Sequence, residues 1–232
     1  MANVLMILSG VDHWTGADGT RLPAGYWAEE FAVPHRKMTE AGIHVDLASP
    51  VGGKPTPDPD SLSTEGAGPR GPEFATYVDD HSDILGNPKP LSDVRSADYD
   101  ATLLVGGHGP MEDLAHDPDM GRVLSDFEAS GKIIAPLCHG PAGLLSANKP
   151  GGHWLFEGKT LTGFTNEEEE EHGSATFAPW LVENMLKARG AKIQSIEAWG
   201  VNIVEDGTMI SGQNPQSSGA LAGKLIDRLT AH

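Results

Sequence analysis

Short apolar runs rich in β-branched residues alternate along this chain with segments that have helical periodicity. The expected strands are Val4–Leu8, Ile43–Ala48, Ala101–Val105, Lys132–Leu137 and Lys192–Ala198, with a weaker run at Thr160–Thr162. The expected helices are Ala28–Glu40, Gly121–Ser130, Pro141–Ser146, Phe177–Arg189 and Gln216–Leu229. Such alternation predicts an α/β fold with a mostly parallel sheet covered by helices on both faces. Asn202–Ser211, with Glu205-Asp206-Gly207 between two β-runs, predicts a late hairpin.

The organisation of the chain favours one domain, residues 1–232, because no repeat or break in composition divides it. Residues 50–92 are the exception: they hold much of the proline and glycine and one expected helix, near Glu73–Leu85. Loops of this length in compact domains are usually functional or disordered. The segment follows the second strand at its carboxyl end, where parallel sheets bind ligands. It therefore predicts either a lid over the site or a surface excursion.

Composition narrows the classes of partner. The formal net charge is −17, which repels phosphate backbones and anionic membranes, so we expect neither nucleic acid nor a membrane as a partner. No apolar run approaches the roughly 20 residues that span a bilayer. The start, MANVLMILSG, lacks the basic region and cleavage site of a signal peptide. One cysteine cannot form an internal disulfide, and a cytoplasmic location is expected.

That one cysteine lies in the stretch IIAPLCHGPAGLL, residues 133–145. An apolar strand, a sharp turn at Cys138-His139-Gly140 and a following helix are typical of a nucleophile elbow. The helix terminus and the adjacent imidazole both favour the thiolate, so the pKa of Cys138 is expected to fall below about 8.5. The alternative is that Cys138 is a small buried apolar residue, as free cysteines often are.

A second strand ends in the glycine-rich stretch Gly106-Gly107-His108-Gly109. Glycines at the carboxyl end of a strand let the backbone approach a ligand closely. If this strand neighbours the strand before Cys138, the amide of Gly107 or His108 can meet the His139 amide and form an oxyanion hole. A tight turn without catalytic meaning is the alternative.

Two glutamates begin the first helix, in GYWAEEFAVP. Glu29 and Glu30 differ by about 100° around a helix, so at most one of them is expected to face a site on its inner side. By themselves, acidic residues in a first helical turn favour the helix dipole and need no other role.

The combination of motifs resembles the DJ-1/PfpI superfamily, which has the class I glutamine-amidotransferase-like fold. The chain is most similar to its heat-shock-protein-31-like branch, which contains glyoxalase III and chaperone-type proteins. The resemblance runs through GYWAEEFAVP, AGIHVDLASP, DYDATLLVGGHGPMEDL, IIAPLCHGPAGL, EGKTLTGFTNEEEE and DGTMISGQNPQSS. It implies a flavodoxin-like three-layer sandwich with a mostly parallel central sheet and a nucleophile elbow.

The resemblance also implies roles for individual residues. Cys138 matches the family nucleophile and His139 the histidine that follows it in this branch. Glu30 matches the glutamate whose carboxyl hydrogen-bonds the cysteine sulfur. The third member of the triad is an acidic residue after GFT, for which Glu169 is predicted. Glu168 and Glu170 remain alternatives, because five consecutive glutamates, residues 167–171, leave the register open and most of them are expected in a solvated acidic turn. Gly107, His108 and Gly140 are expected to bind the substrate or its oxyanion.

The activity that the resemblance implies is a glutathione-independent glyoxalase, a lyase of the D-lactate dehydratase type that converts methylglyoxal to lactate. Small aldehydes such as methylglyoxal and glyoxal are the expected substrates, a homodimer is the expected assembly, and neither cofactor nor metal is expected. Protein or nucleotide deglycase activity is a further option. A holdase chaperone and a cysteine peptidase of the PfpI type are the alternatives. A glutamine amidotransferase shares the fold and the elbow cysteine, but it needs a distant catalytic histidine with a glutamate two residues later. No histidine after Cys138 has a glutamate at that position, so this class is rejected.

Overall fold

The computed structural model describes residues 2–231. Its strands are β1 (Asn3–Ile7), β2 (His13–Thr15), β3 (Arg21–Pro23), β4 (His44–Ser49), β5 (Lys89–Pro90), β6 (Ala101–Leu104), β7 (Ile133–Pro136), β8 (Thr160–Leu161), β9 (Lys192–Ile193), β10 (Ile203–Asp206) and β11 (Met209–Gly212). Its α-helices are α1 (Ala28–Glu40), α2 (Thr64–Ala67), α3 (Gly71–Asp80), α4 (Ser82–Leu85), α5 (Gly109–Glu112), α6 (Pro118–Ala129), α7 (Asn166–His172), α8 (Val182–Ala188) and α9 (Ser218–Thr230). None of these helices is both long enough and apolar enough to cross a bilayer.

The central sheet has the strand order β10-β11-β7-β6-β1-β4-β5 within residues 2–231. Its neighbouring strands are parallel except for the β10–β11 hairpin, which confirms the predicted sheet and the predicted hairpin. β4 lies on one side of β1, whereas β7 lies on the opposite side of β6. Right-handed crossovers therefore place α1 and α6 on opposite faces. This gives three layers, and the order in which successive strands are added reverses between the parallel strands β1 and β6, where such sheets bind ligands.

The predicted strand Lys192–Ala198 is wrong in length and in place. Only the two residues of β9 form a strand, and they pair with β8 in a separate small sheet. Beyond them the backbone bonds to side-chain amides, as the Ile196 N–H donates to Gln213 Oε1 at 3.1 Å and Asn202 Nδ2 donates to the Gln194 carbonyl at 3.0 Å. These side chains take the place of a neighbouring strand.

Two predicted helices also differ. The helix predicted from Phe177 begins at Val182: Pro179 disfavours a helical conformation at Ala178, and Leu181 is extended and forms the N-cap. The helix predicted over Pro141–Ser146 is a 3₁₀-helix over Gly140–Ser146, the tighter form that short segments adopt.

Residues 50–92 are structured. The single helix predicted at Glu73–Leu85 is two helices, α3 and α4, separated at His81. Phe74 of α3 is buried against Ala28, Ala32 and Val33 of α1. This apolar contact fixes the segment to α1 near the carboxyl edge of the sheet.

Candidate active site

Cys138 occupies a strained turn between β7 and the 3₁₀-helix that follows it. Its φ is 57°, in the left-handed region that costs a residue other than glycine about 1–3 kcal/mol. Two hydrogen bonds hold the turn from either side: the Cys138 amide donates to the Gly212 carbonyl at 3.0 Å, and the Phe164 amide donates to the Cys138 carbonyl at 2.8 Å. A strained residue between a strand and a helix, held in this way, is the geometry of a nucleophile elbow.

Gly140 shapes the elbow. A Cβ at this position would collide with the Leu104 carbonyl, and the Gly140 amide donates to the Leu137 carbonyl at 2.7 Å. That amide is therefore not free to bind a substrate oxygen. The predicted oxyanion or substrate-binding role of Gly140 is corrected to a role in closing the turn.

A hydrogen-bonded chain runs from the sulfur through His139 to Glu169. Cys138 Sγ lies 3.3 Å from His139 Nδ1, and His139 Nε2 lies 2.7 Å from Glu169 Oε1. The His139 and Glu169 side chains are both buried. Burial by itself would raise the pKa of Glu169, but the charges and hydrogen bonds of His139 and His108 outweigh it and hold that pKa well below its usual range. Since Glu169 is ionised, the Nε2 proton of His139 points at it and Nδ1 is left as an acceptor facing the thiol.

The acidic run that left the register open is a helix, α7, and not a solvated turn. Its N-terminus has a capping box, in which the Thr165 hydroxyl accepts from the Glu168 amide and the Glu168 carboxylate accepts from Thr165. Glu168 Oε1 also accepts from the Trp199 amide at 2.9 Å and from Asn214 Nδ2 at 2.7 Å. Glu170 is exposed. Of the three candidates, Glu169 is the one in contact with His139.

Glu30 lies beneath the elbow. It is fully buried on α1, and its Oε2 accepts from the Gly106 amide at 2.8 Å. Its Oε1 has no hydrogen-bond partner among residues 2–231, and the titratable groups nearby are the Cys138 thiol and the Glu29 carboxyl. Burial raises the pKa of Glu30 to about 8. At neutral pH this carboxyl is therefore mostly protonated.

The expectation of a lowered thiol pKa is wrong for this site. Burial is the main cause that raises the pKa of Cys138 well above its ordinary value, and the neighbouring Glu30 carboxyl adds to the effect. The Gly107 amide, which donates toward the sulfur, opposes them more weakly. Cys138 is therefore a neutral thiol at rest and needs a base to become a nucleophile.

Glu29 also contributes to the site, although only Glu30 lies on the inner side of α1, under the elbow. Its side chain is 18% exposed, lines the cavity beside Cys138 and lies 3.5 Å from Arg70 Nη1. Both glutamates reach the site because Glu30 points inward under the elbow while Glu29 lies at the wall formed by residues 66–68.

The turn after β6 faces the elbow. Gly107 has φ +87°, and a Cβ there would collide with the backbone around Gly25 and Trp27. In residues 2–231, no backbone carbonyl accepts from the amides of Gly107, His108 or His139. Neighbouring strands thus end in N–H groups that no backbone carbonyl uses, as an oxyanion hole requires, and the Gly107 N–H is directed toward the sulfur.

The His108 side chain has contacts that sequence reasoning missed, since only its backbone amide was considered. Its ring stacks on Trp14 with centroids 4.1 Å apart and an interplanar angle of 12°. His108 Nε2 lies 3.4 Å from Glu169 Oε2, so Glu169 lies between two imidazoles. Burial lowers the pKa of His108, and the proximity of His139 lowers it further.

A cavity of about 240 Å³ opens beside Cys138. Its wall contains Gly107, His108, Cys138 and His139, and is completed by Trp27, Glu29, Gly66, Ala67, Gly68, Phe164, His172, Trp199, Pro215 and Gln216. Gly66–Gly68 come from residues 50–92, so that segment forms part of the wall. Trp27 and Phe164 fall within motifs quoted above, but no pattern in the sequence pointed to Trp199.

These features define a class of protein: α/β proteins of the class I glutamine-amidotransferase-like type, with a parallel sheet and an elbow cysteine at its carboxyl edge. The chain belongs to the DJ-1/PfpI family, whose profile matches residues 22–228.

Individual relatives are similar over nearly the whole chain. Glutathione-independent glyoxalase HSP31 of Saccharomyces cerevisiae is 31% identical, over 97% of both chains. Among solved structures, the Rapid Encystment Protein 24 KDa of Francisella tularensis superposes with a TM-score of 0.87 at 30% identity, covering 99% of each chain. Glyoxalase III of Candida albicans has a TM-score of 0.82 at 26% identity, covering 100% of this chain and 98% of that one.

Proposed function

We propose that the protein is a glutathione-independent glyoxalase that converts methylglyoxal and water to lactate, a lyase of the D-lactate dehydratase type. The observation that carries the proposal is the contact between Cys138 Sγ and His139 Nδ1, 3.3 Å apart, at the wall of a cavity that admits a small aldehyde. The similarity to proteins named glyoxalase supports the same substrate class.

The first step is addition of the thiol to the aldehyde carbon, C1. As the S–C bond forms, the thiol proton passes to His139 Nδ1, and Glu169 balances the charge of the imidazolium from the other side of the ring. The amides of Gly107 and His139 hold the oxygen that becomes negative. His139 then gives this proton to the oxygen, and the product is a hemithioacetal on Cys138, so the protein's own thiol takes the place of glutathione.

The second step moves hydrogen from C1 to C2 through an enediol. A pKa near the operating pH lets a carboxyl both give and take a proton in one turnover, and the pKa of Glu30 is about 8. Glu30 is our first choice for this group, and His139 is the alternative. The transfer oxidises C1 to the level of a carboxylic acid and reduces C2 to an alcohol, so no external oxidant or reductant is consumed.

The last step is hydrolysis of the resulting thioester. Water attacks C1, the C–S bond breaks, and Cys138 recovers its proton as lactate leaves. The Gly107 and His139 amides hold the second oxyanion at the same place as the first.

The test is a methylglyoxal assay without glutathione, run on the wild type and on Cys138→Ala with chromatographic identification of the product. The wild type is expected to form lactate, whereas Cys138→Ala is expected to lose turnover while keeping its melting temperature. Equal rates in the two proteins would refute the proposal. Suppression of client aggregation is measured in parallel on the same two proteins. A chaperone activity that does not depend on the thiol would be retained in Cys138→Ala, whereas methylglyoxal turnover would be lost.

A further inference from the structure

His108, His139 and Glu169 converge behind the catalytic thiol. One nitrogen from each ring and one carboxylate oxygen all lie within 4.8 Å of one another, and the three side chains are buried. The nearest pairs are His139 Nε2 to Glu169 Oε1 at 2.7 Å and His108 Nε2 to Glu169 Oε2 at 3.4 Å. Two imidazoles and a carboxylate are a donor set that Zn²⁺ takes, and tetrahedral bonds of about 2.0 Å separate ligand atoms by about 3.3 Å. The three donors therefore need only a small movement to surround an ion.

Neighbouring groups already orient two of the three donors. The His108 ring is held by its stack on Trp14, and the Glu169 carboxylate accepts a hydrogen bond from the Ser174 hydroxyl. Such supporting contacts are what fix ligand geometry in metal sites. His108 and His139 also line the cavity of about 240 Å³, which supplies a path for the ion and room for a water as fourth ligand.

We propose that His108, His139 and Glu169 form a binding site for Zn²⁺, and that the bound ion switches the thiol chemistry off. The ion takes the place of the proton on His139 Nε2, and that proton moves to Nδ1, so the imidazole stays neutral. An imidazole that binds a metal through one nitrogen keeps its proton on the other. His139 Nδ1 then carries a hydrogen and can no longer accept the proton of Cys138.

The same geometry separates this site from a simple zinc–thiolate complex. Cys138 Sγ contacts Nδ1, whereas the proposed ion binds Nε2, and these two nitrogens point away from the ring in different directions. The sulfur is therefore not a ligand. Zinc binding should survive removal of Cys138 and should depend on His108, which contacts Glu169 from the other side.

Isothermal titration with Zn²⁺, in the absence of substrate, tests the site directly in four proteins. The wild type is expected to bind one ion per chain, and Cys138→Ala to bind it with the same affinity within about threefold. His108→Phe keeps a ring to stack on Trp14 and removes one ligand, so its affinity is expected to fall at least about 10- to 100-fold. His153→Ala, which removes an exposed histidine outside the cluster, is expected to match the wild type. Thermal melts of each variant show whether it is folded.

The inhibitory effect is tested separately with the wild type. Methylglyoxal turnover is expected to fall in proportion to zinc occupancy and to recover when EDTA removes the ion. Loss of zinc binding in Cys138→Ala, or wild-type affinity in folded His108→Phe, would overturn the site. If His108→Phe does not fold, zinc binding by Cys138→Ala still tests whether the sulfur is a ligand. The absorption spectrum of Co²⁺ bound to the wild type tests the same point, because a Co²⁺–thiolate band would place the ion on the sulfur and overturn the site. The binding data need no turnover, so they stand even if the proposed glyoxalase activity fails.

Discussion

Two buried carboxyl groups flank the Cys138–His139 pair, and their pKa values move in opposite directions. Glu30, under the elbow, has the Gly106 amide as its one hydrogen-bond donor within the described residues, and burial raises its pKa to about 8. Glu169, behind His139, lies between two imidazoles, which hold its pKa well below the usual range despite its burial.

The difference shows that burial alone does not set the charge of a carboxyl; the two imidazoles that hydrogen-bond Glu169, and their absence beside Glu30, decide. One residue type, equally removed from solvent, provides a proton donor on one side of the sulfur and a permanent negative charge on the other. Pairs of titratable groups whose environments separate their pKa values are a recurring means of assigning acid and base roles.

Replacing Glu169 should have the largest effect on activity. Gln at this position cannot balance the charge that His139 acquires with the thiol proton, so Glu169→Gln is expected to lower turnover on methylglyoxal by about 10³-fold. Glu170→Gln is the matched control, because Glu170 is the next residue of α7 and is exposed. Both variants are measured by steady-state kinetics. An equal loss of turnover in the two would contradict a specific role for Glu169 behind His139.

Replacing Glu30 should lower turnover by at least about 10²-fold, the lower end for losing one acid–base group. Glu29→Gln is its control on the same helix turn. Because Glu29 lines the cavity wall, its loss is expected to act mainly on KM and to leave kcat within a few-fold of the wild type. Similar losses of kcat in the two variants would remove Glu30 from the proton transfer.

The raised pKa of Glu30 also predicts how stability varies with pH. Its folded pKa of about 8 lies above the ordinary value of 4.5, so its contribution to stability is complete below pH 4.5 and is lost as pH rises through 8. The slope is about 1.4 kcal/mol per pH unit, or about 3 kcal/mol between pH 5 and 7.5. Glu30→Gln should lack this slope in urea unfolding measured across that range.

Glu169 should show the reverse dependence. Its folded pKa is depressed, so its contribution is present above pH 4.5 and is lost as pH falls toward the folded value. Acid unfolding of Glu169→Gln should therefore be less steep below pH 4.5 than that of the wild type. Parallel curves for the two proteins would contradict an ionised Glu169.

Replacing Glu168 should give the smallest effect, and on stability rather than chemistry. Its carboxylate closes the capping box with Thr165 and accepts from Trp199 and Asn214. Glu168→Gln is expected to cost about 2 kcal/mol of unfolding free energy, from a weakened cap and a weakened buried hydrogen bond. Turnover per folded molecule should stay within a few-fold of the wild type. A loss of turnover as large as that of Glu169→Gln would mean that the glutamates of α7 act on the site through their combined charge, and not through Glu169 alone.

The central strands were predicted to within a residue or so, because they are continuous apolar runs whose burial on both faces is written into the local sequence. The elbow at Cys138 was predicted for a similar reason: an apolar strand, a small-residue turn and the following segment are consecutive in the chain. The strand expected at Lys192–Ala198 failed, because Gln213 and Asn202, distant in sequence, satisfy that backbone.

The register of the acidic run is the clearest case of information that the local sequence lacks. Residues 167–171 are identical, so no periodicity can distinguish them. The capping box at Thr165 starts α7 at a definite residue, and that start turns Glu168 toward Trp199 and Asn214 and Glu169 toward His139. Family resemblance favoured Glu169, but packing is what separates it from its neighbours.

By itself, the sequence determined the α/β architecture, the hairpin and the position of the thiol at the end of a buried strand, because these depend on residues that are neighbours in the chain. Only the tertiary structure decided which groups carry charge. The pKa of Cys138 rises instead of falling because folding removes it from water and brings Glu30 from a distant helix beside it. Electrostatic energy depends on distance and burial in space, and neither follows from spacing along the chain.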